Sequence, residues 1–138
     1  MNKIQYVLFV GDGDMRKQIN MSSMQKVYDF VFNLDINLFF KRHPDGEILN
    51  IDNNIRQLYE FVPCELYLSY FDCVVGGFSA VIQISTMLDI KTISYMNLIE
   101  YNYDWLKDIW KERLDKYGNG KLLYPDSFEE LRDMLIKC

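Results

Sequence analysis

The sequence predicts an α/β domain with a Rossmann-like parallel sheet and helices on both of its faces. Short runs of β-branched and aromatic residues alternate along the chain with longer segments whose apolar residues recur at helical spacing. The strand-like runs are apolar throughout, which is typical of strands buried on both faces of a parallel sheet. No repeat or linker divides the 138 residues, so we expect a single domain over residues 1–138.

The first part of the chain predicts a β-α-β unit. Residues 4–10 form a continuous apolar run and should be the first strand. A helix should begin at Ser22, which has capping-box spacing to Gln25. Residues 36–42 predict a second buried strand, which the turn residues 43–46 end. The apolar face of the helix consists of residues at i, i+3, i+4, i+7 and i+8: Met24, Val27, Tyr28, Val31 and Phe32.

The middle of the chain is less regular. Residues 48–54 are polar and predict a loop, and residues 56–62 are a weaker strand candidate. Pro63 suits the first turn of a short helix. Residues 72–76 predict another buried strand. Residues 79–88 are apolar nearly all round, so they predict a helix packed inside the domain.

The last third of the chain predicts one more strand at residues 92–95, followed by two amphipathic helices. The apolar stripe of the first helix includes Trp105, Leu106, Ile109, Trp110 and Leu114, and Gly118 is placed to end it. Residues 122–124 are a candidate last strand. Ser127 has capping-box spacing to Glu130 and should open the final helix.

The composition excludes several classes of protein. Aromatic residues make up 15% of the chain, too large a share for a disordered protein. The 15 Lys and Arg residues against 20 Asp and Glu residues give a net charge of −5, and no basic run exceeds Lys41-Arg42. We therefore expect no nucleic-acid partner. No apolar run approaches the roughly 18 to 20 residues that span a bilayer, so we expect no transmembrane segment.

The cysteines and the start of the chain predict a reduced, cytoplasmic protein. Three cysteines without CxxC spacing do not form a disulfide framework, and a single histidine excludes a histidine-cluster metal site. The acidic, glycine-rich residues 11–14 follow the first apolar run, where a signal peptide would have a small-residue cleavage site. We expect a cytoplasmic location, with peripheral association to the inner face of the cell membrane as a second option.

In a parallel α/β sheet, ligands bind at the carboxyl ends of the strands. Residues 11–14, 43–46, 63–65 and 76–79 follow the predicted strands and hold the candidate functional side chains. Pro44 restricts His43 to extended geometry, so its imidazole can project over the strand end. There it can donate to a phosphate or protonate a leaving group, or simply bond a backbone carbonyl in the turn.

The other strand ends each allow a functional and a structural interpretation. Gly77 and the N-cap Ser79 can seat a phosphate on free N–H groups, or form an ordinary strand-to-helix turn. Glu65 can bind a ribose diol or complement a helix dipole. Asp12 and Asp14 can provide a general base, chelate a divalent metal ion in DxD fashion, or form a solvated acidic turn.

Taken together, these clusters resemble the carboxyl-terminal, CMP-sialic acid-binding domain of bacterial GT-B sialyltransferases, with the closest resemblance to glycosyltransferase family 52, the lipooligosaccharide and capsule-type enzymes. The resemblance covers essentially the whole chain. It rests on an HP motif, a motif like I-P-x-E and a Ser/Thr motif, which occur in family order as Lys41-Arg42-His43-Pro44, Val62-Pro63-Cys64-Glu65 and Gly77-Phe78-Ser79-Ala80.

The resemblance implies a donor site for CMP-sialic acid and inverting transfer of the sugar to a glycan acceptor. His43 would contact the CMP phosphate and protonate the leaving group, with Pro44 shaping the site. Glu65, which follows Pro63 by two residues in the same motif, would hold the ribose hydroxyls. Gly77, Ser79 and the helix N-terminus would bind the phosphate. CMP carries one phosphate, so an imidazole and a helix dipole can offset its charge, and we expect no metal ion or cofactor.

The sequence departs from this family in three respects. The Ser/Thr pair is incomplete, because Phe78 and Ala80 flank Ser79, which removes one possible hydroxyl contact to the phosphate. The family's D/E-D/E-G motif supplies the base, but Gly11-Asp12-Gly13 has one acid before its glycine, so Asp12 and Asp14 compete for that role. Family members have two Rossmann-like halves, whereas 138 residues hold one. We therefore expect activity to need the missing amino-terminal, acceptor-binding half or a partner chain, and a homodimer is credible.

Three alternatives remain open from the sequence. The first is a GT-B half with a UDP-sugar donor, although no Arg or Lys sits beside Ser79 to bind a diphosphate. The second is a non-catalytic α/β interaction module in which the strand-end motifs are ordinary turns. The third is a metal-dependent DxD transferase acting through Asp12 and Asp14.

Overall fold

One parallel sheet organises the part of the chain that the computed structural model describes, residues 4–44, 46–58 and 63–136. Its strand order is β3-β2-β1-β4-β5, and each neighbouring pair is parallel. This is the Rossmann-like arrangement that the sequence predicts. The strands are β1 (Tyr6–Val10), β2 (Asn37–Lys41), β3 (Arg56–Leu58), β4 (Cys73–Gly76) and β5 (Lys91–Ser94).

Four helices within the described ranges flank the sheet. The chain moves outward from β1 to β2 on one side and from β4 to β5 on the other. With right-handed crossovers, the two connecting helices therefore lie on opposite faces. The helices are α1 (Met21–Phe32), α2 (Ala80–Met87), α3 (Asp104–Tyr117) and α4 (Phe128–Ile136). Phe30 of α1 and Phe128 of α4 lie 5.0 Å apart between ring centroids, so these two helices share a face.

The core is centred on β1, whose last four residues are at most 1% exposed. The ring of Phe9 stacks with Phe40 at 5.9 Å and with Tyr95 at 5.8 Å. Tyr28 of α1 meets the same ring edge-on at 5.6 Å. Aromatic residues of β2, of α1 and of the position just after β5 therefore converge on Phe9, as the continuous apolar character of β1 predicts.

The start of α1 differs from the prediction. Asn20 rather than Ser22 is the N-cap, because its side-chain oxygen accepts a hydrogen bond from the Ser22 N–H at 3.0 Å. The predicted core face of α1 is confirmed except at Phe32, which is 37% exposed. At α4 the predicted capping serine is confirmed, since the Ser127 hydroxyl accepts from the Glu130 N–H at 3.1 Å.

Two apolar segments are more exposed than their sequences predict. α2 was expected to lie inside the domain, but Met87 and the following Leu88 are 64% and 43% exposed. In α3, Leu114 is buried, whereas Trp105 and Ile109 are 58% and 42% exposed. Both helices therefore pack against the sheet along a narrower stripe than predicted.

Three predicted elements are shorter or of another type. The short helix predicted from Pro63 is two 3₁₀ turns, Cys64–Leu66 and Leu68–Tyr70. Residues 122–124 make a single parallel bridge, between Leu123 and Ile93, rather than a strand. Of the strand candidate 56–62, residues 59–62 lie outside the described ranges.

Replacing Phe9 with alanine should lower the free energy of unfolding by about 3–5 kcal/mol, because the change empties a ring-sized volume at the centre of the aromatic cluster. Urea denaturation followed by circular dichroism measures this difference. Tyr103→Ala is the control, since that ring is 56% exposed and its loss should cost less than about 1 kcal/mol. Equal effects of the two substitutions would contradict the central position of Phe9.

Candidate functional site

The candidate site lies at the carboxyl ends of β1 and β4, the neighbouring strands between which the strand order reverses. Asp12 follows β1 and is 7% exposed. Its carboxylate accepts hydrogen bonds from the N–H groups of Phe78 at 2.9 Å and Gly77 at 3.1 Å. The Tyr95 hydroxyl donates to the same carboxylate. One side chain thus joins the ends of β1, β4 and β5.

These contacts determine the protonation of the buried pair. Burial raises the pKa of Asp12, and hydrogen bonds from Tyr95 and the backbone of residues 77–79 offset part of that rise. Burial and the neighbouring Asp12 raise the pKa of Tyr95 well above its ordinary value. The Tyr95 hydroxyl therefore stays protonated at neutral pH and remains a donor to Asp12.

Asp12 occupies part of the predicted phosphate seat. Its oxygens accept from the N–H groups of Gly77 and Phe78, in the turn that the sequence allows as either a phosphate seat or an ordinary strand-to-helix turn. Ser79 is the N-cap of α2, as predicted, and accepts from the Val81 N–H at 3.3 Å. A Cβ atom at Gly77 would lie 2.6 Å from Asp12 Oδ2, so the glycine is required by the close approach of that carboxylate.

His43 lies beside the loop that carries Asp12. A Cβ atom at Gly13 would lie 2.9 Å from His43 Nδ1, so the half-buried imidazole packs directly against this glycine. Gly13 has a φ of +72°, a conformation that glycine adopts without strain. The structure therefore brings the predicted strand-end residues His43 and Asp12 to the same loop, with Pro44 exposed at its rim.

Glu47 is a member of this cluster that the sequence analysis missed. Its Oε2 atom is buried and has no hydrogen-bond partner among the described residues, while Oε1 accepts from the Leu49 N–H at 3.2 Å. Oε2 lies directly over Gly11, where a Cβ atom would be 1.9 Å away. Burial, with a smaller contribution from Asp12, raises the pKa of Glu47. Its position just after the turn at residues 43–46 was the available sequence signal.

A cavity of about 500 Å³ lies along the later part of the loop that follows β1. Arg16 in that loop forms a two-pronged contact with Asp14, with Nε 2.9 Å from Oδ1 and a terminal nitrogen 2.7 Å from Oδ2. These hydrogen bonds lower the pKa of Asp14 to about 2, which makes it a weak base. The described residues that line the cavity are Asp14, Met15, Arg16, Lys17 and Gln18.

The remaining predicted residues are not drawn into the cluster. Pro63 and Glu65 are exposed, and Glu65 belongs to the first 3₁₀ turn. No hydrogen bond or ion pair joins Glu65 to Asp12 or His43 among the described residues. Val62, the first residue of that motif, lies outside them. In the same ranges, no group of three His, Cys, Asp or Glu side chains is placed to hold a metal ion. No described helix has the length and apolar character needed to cross a membrane.

Comparison with known proteins identifies the fold and no family. No family model matches the chain, and no curated protein sequence is similar to it. Among solved structures, KpsC of Thermosulfurimonas dismutans, a beta Kdo 2,4 transferase, is 19% identical with a TM-score of 0.51. That match covers 69% of this chain and 35% of KpsC.

Two solved structures match over nearly the whole chain. An isochorismatase-like hydrolase from Alkaliphilus metalliredigens is 13% identical with a TM-score of 0.58, covering 96% of this chain and 97% of the hydrolase. The MAR1 ribonuclease from Caenorhabditis elegans is 12% identical with a TM-score of 0.63, covering 100% of this chain and 84% of the ribonuclease. At these identities the likeness establishes the parallel α/β fold alone.

Replacing Asp12 with alanine should lower the free energy of unfolding by at least about 3 kcal/mol, because buried N–H and O–H donors lose their acceptor. Tyr95→Phe should cost about 1.5–3 kcal/mol, and the double variant should cost less than the sum of the two. Urea denaturation of all three variants measures the coupling. Asp14→Ala, at an exposed carboxylate, is the control; equal losses for Asp12→Ala and Asp14→Ala would show that Asp12 does not hold the turn.

Glu47→Gln should flatten the pH dependence of stability above the ordinary glutamate pKa of 4.5. A carboxyl whose pKa is raised on folding binds its proton more tightly in the folded state. Its stabilising contribution is therefore complete below the ordinary value of 4.5 and is lost as the pH rises through the shifted pKa. Chemical denaturation at several pH values should show that the free energy of unfolding of the variant rises relative to that of the wild type as the pH increases. Parallel curves for the two proteins would contradict this.

Proposed function

We propose that this chain is the donor-binding half of a GT-B type glycosyltransferase that transfers sialic acid from CMP-sialic acid to a lipooligosaccharide or capsule-type glycan. The observation that carries the proposal is the position of His43 against the loop after β1. That loop lies at the reversal of strand order, where nucleotides bind in sheets of this topology.

The similarity to a region of KpsC supports the same class of activity. KpsC is a beta Kdo 2,4 transferase, and the matched region is about a third of its length. Kdo and sialic acid are both keto sugars that carry a carboxylate. A donor half of this fold that handles an acidic sugar is therefore a reasonable model for this chain.

In this proposal His43 donates to the single phosphate of CMP and protonates the leaving group, while Pro44 fixes the direction of the imidazole. Asp12 already accepts from the N–H groups of Gly77 and Phe78. Asp12 thus holds the turn that contains Gly77 and Ser79, and these two residues line the base of the proposed phosphate site. Pro63 and Glu65 remain the proposed contact for the ribose hydroxyls.

The base that deprotonates the acceptor hydroxyl is chosen by comparing the contacts and proton affinities of three carboxyl groups. Asp14 faces the cavity, but its pKa of about 2 makes it a poor proton acceptor. Asp12 has a raised pKa, but its oxygens are already engaged. Glu47 combines a raised pKa with a carboxyl oxygen, Oε2, that has no hydrogen-bond partner among the described residues, so we favour it over both aspartates as the base.

Transfer also requires an acceptor held beside the donor, because the rate depends on positioning both together. This chain spans about a third of the KpsC chain that it matches. We propose that a second Rossmann-like half, in another domain or a partner chain such as a second copy, binds the glycan. Until that half is supplied, donor binding is the property to measure.

His43→Ala should weaken CMP binding by about tenfold or more, because one charge-assisted hydrogen bond to the phosphate is lost. Calorimetric titration with CMP, CDP and UDP tests both the affinity and the choice of nucleotide. Arg132→Ala, at an exposed position on α4, is the control and should leave binding unchanged.

Each alternative has its own result in this titration. Tighter binding of UDP than of CMP would replace the proposal with a UDP-sugar transferase half. No nucleotide binding at millimolar concentration would overturn the proposal and favour a non-catalytic interaction module.

A further inference from the structure

The cavity lined by residues 14–18 carries positive charge that the proposed roles do not use. Lys17 is exposed, and its ammonium group has no hydrogen-bond or ion-pair partner among the described residues. The neighbouring Arg16 is neutralised by Asp14 at 2.7 Å. Lys17 also attracts the Asp14 carboxylate electrostatically, but because Arg16 is paired with Asp14, these three side chains leave one net positive charge at the wall of a cavity of about 500 Å³.

This cavity wall already accommodates a carboxylate. Asp14 receives two side-chain hydrogen bonds from Arg16 and a third from the Arg16 backbone N–H at 3.0 Å. The geometry is the side-on, two-pronged pairing that guanidinium groups make with carboxylates. Because Arg16 is already paired with Asp14, a ligand carboxylate that enters the cavity would contact Lys17.

The loop is held in place from outside the cavity. The Asn102 side-chain amide donates to the Arg16 carbonyl at 3.0 Å, and the Asn102 backbone N–H donates to the Gln18 carbonyl at 2.8 Å. The Trp110 indole N–H donates to the Gln18 side chain at 2.9 Å. These contacts fix the backbone on both sides of Lys17, which lowers the entropic cost of presenting its ammonium group to a ligand.

The position of Lys17 suits one particular ligand geometry. His43 packs against Gly13, and the cavity wall begins at the next residue, Asp14. In a keto-acid sugar nucleotide, the carboxylate and the phosphate oxygen are bonded to the same anomeric carbon. A cation that binds the carboxylate must therefore lie near the group that binds the phosphate, and Lys17 follows Gly13, the residue against which His43 packs, by four positions in the same loop.

We infer that the cavity along residues 14–18 binds the carboxylate of an acidic donor sugar, with Lys17 as its direct contact. The inference rests on the proposed function and adds the feature that selects an acidic sugar over a neutral one. Binding a carboxylate here leaves Asp14 and Arg16 paired, so the ligand does not have to displace an existing ion pair.

The test compares two ligands that differ in the sugar. CMP and a non-transferable fluorinated analogue of CMP-sialic acid are titrated calorimetrically into the wild type and into Lys17→Met. The wild type should bind the analogue more tightly than CMP. Lys17→Met should weaken binding of the analogue by about tenfold and leave CMP binding within about twofold, because the substitution removes a charge-assisted contact to the carboxylate alone.

Lys116→Met is the matched control, because it removes one exposed lysine from the last turn of α3 and gives the same net charge. It should change neither affinity. If Lys17→Met alters both ligands equally, or neither, the inference is wrong while the CMP site defined by His43→Ala stands. If the wild type binds neither ligand, both the proposed function and this inference are wrong.

Discussion

The hydrogen bonds of the Asp12 carboxylate hold together the end of the molecule that carries the candidate site. A charge buried in the interior is tolerated only when it is well paired or hydrogen-bonded. Asp12 meets that requirement by drawing the turn before α2 and the residue after β5 onto the end of β1. The same contacts fix the loop against which His43 packs and along which the cavity lies.

Most of the sheet was predictable, because parallel strands buried on two faces are continuous apolar runs whatever their neighbours. Which apolar helix residues remain exposed to solvent was less predictable. An apolar helix does not specify which of its faces another element will cover, and Met87 and Trp105 remain 64% and 58% exposed. The N-cap at Asn20 was missed because Ser22 offered equally good local spacing.

The site could be predicted as a location but not as a set of contacts. Parallel strands bring their carboxyl ends to one edge, so His43 and Asp12 were expected to be near each other. The hydrogen bonds from Gly77 and Phe78 to Asp12, however, join residues at least 65 positions apart in the chain. No feature of the sequence around Asp12 shows whether its carboxylate will bind the N–H groups in the turn before α2 or leave them open to a phosphate.

The charges at this edge are compatible with binding of the proposed anionic donor by an acidic chain. Three carboxyl groups surround the proposed site, and as free charges they would repel a ligand. Asp12 is held by hydrogen bonds, Asp14 is paired with Arg16, and the raised pKa of Glu47 favours its neutral form. Because an anion beside Glu47 raises that pKa further, donor binding and protonation of Glu47 reinforce each other. A raised pKa also makes the ionised form of Glu47 a stronger acceptor for the proton of the attacking hydroxyl, which is the role that we propose for it.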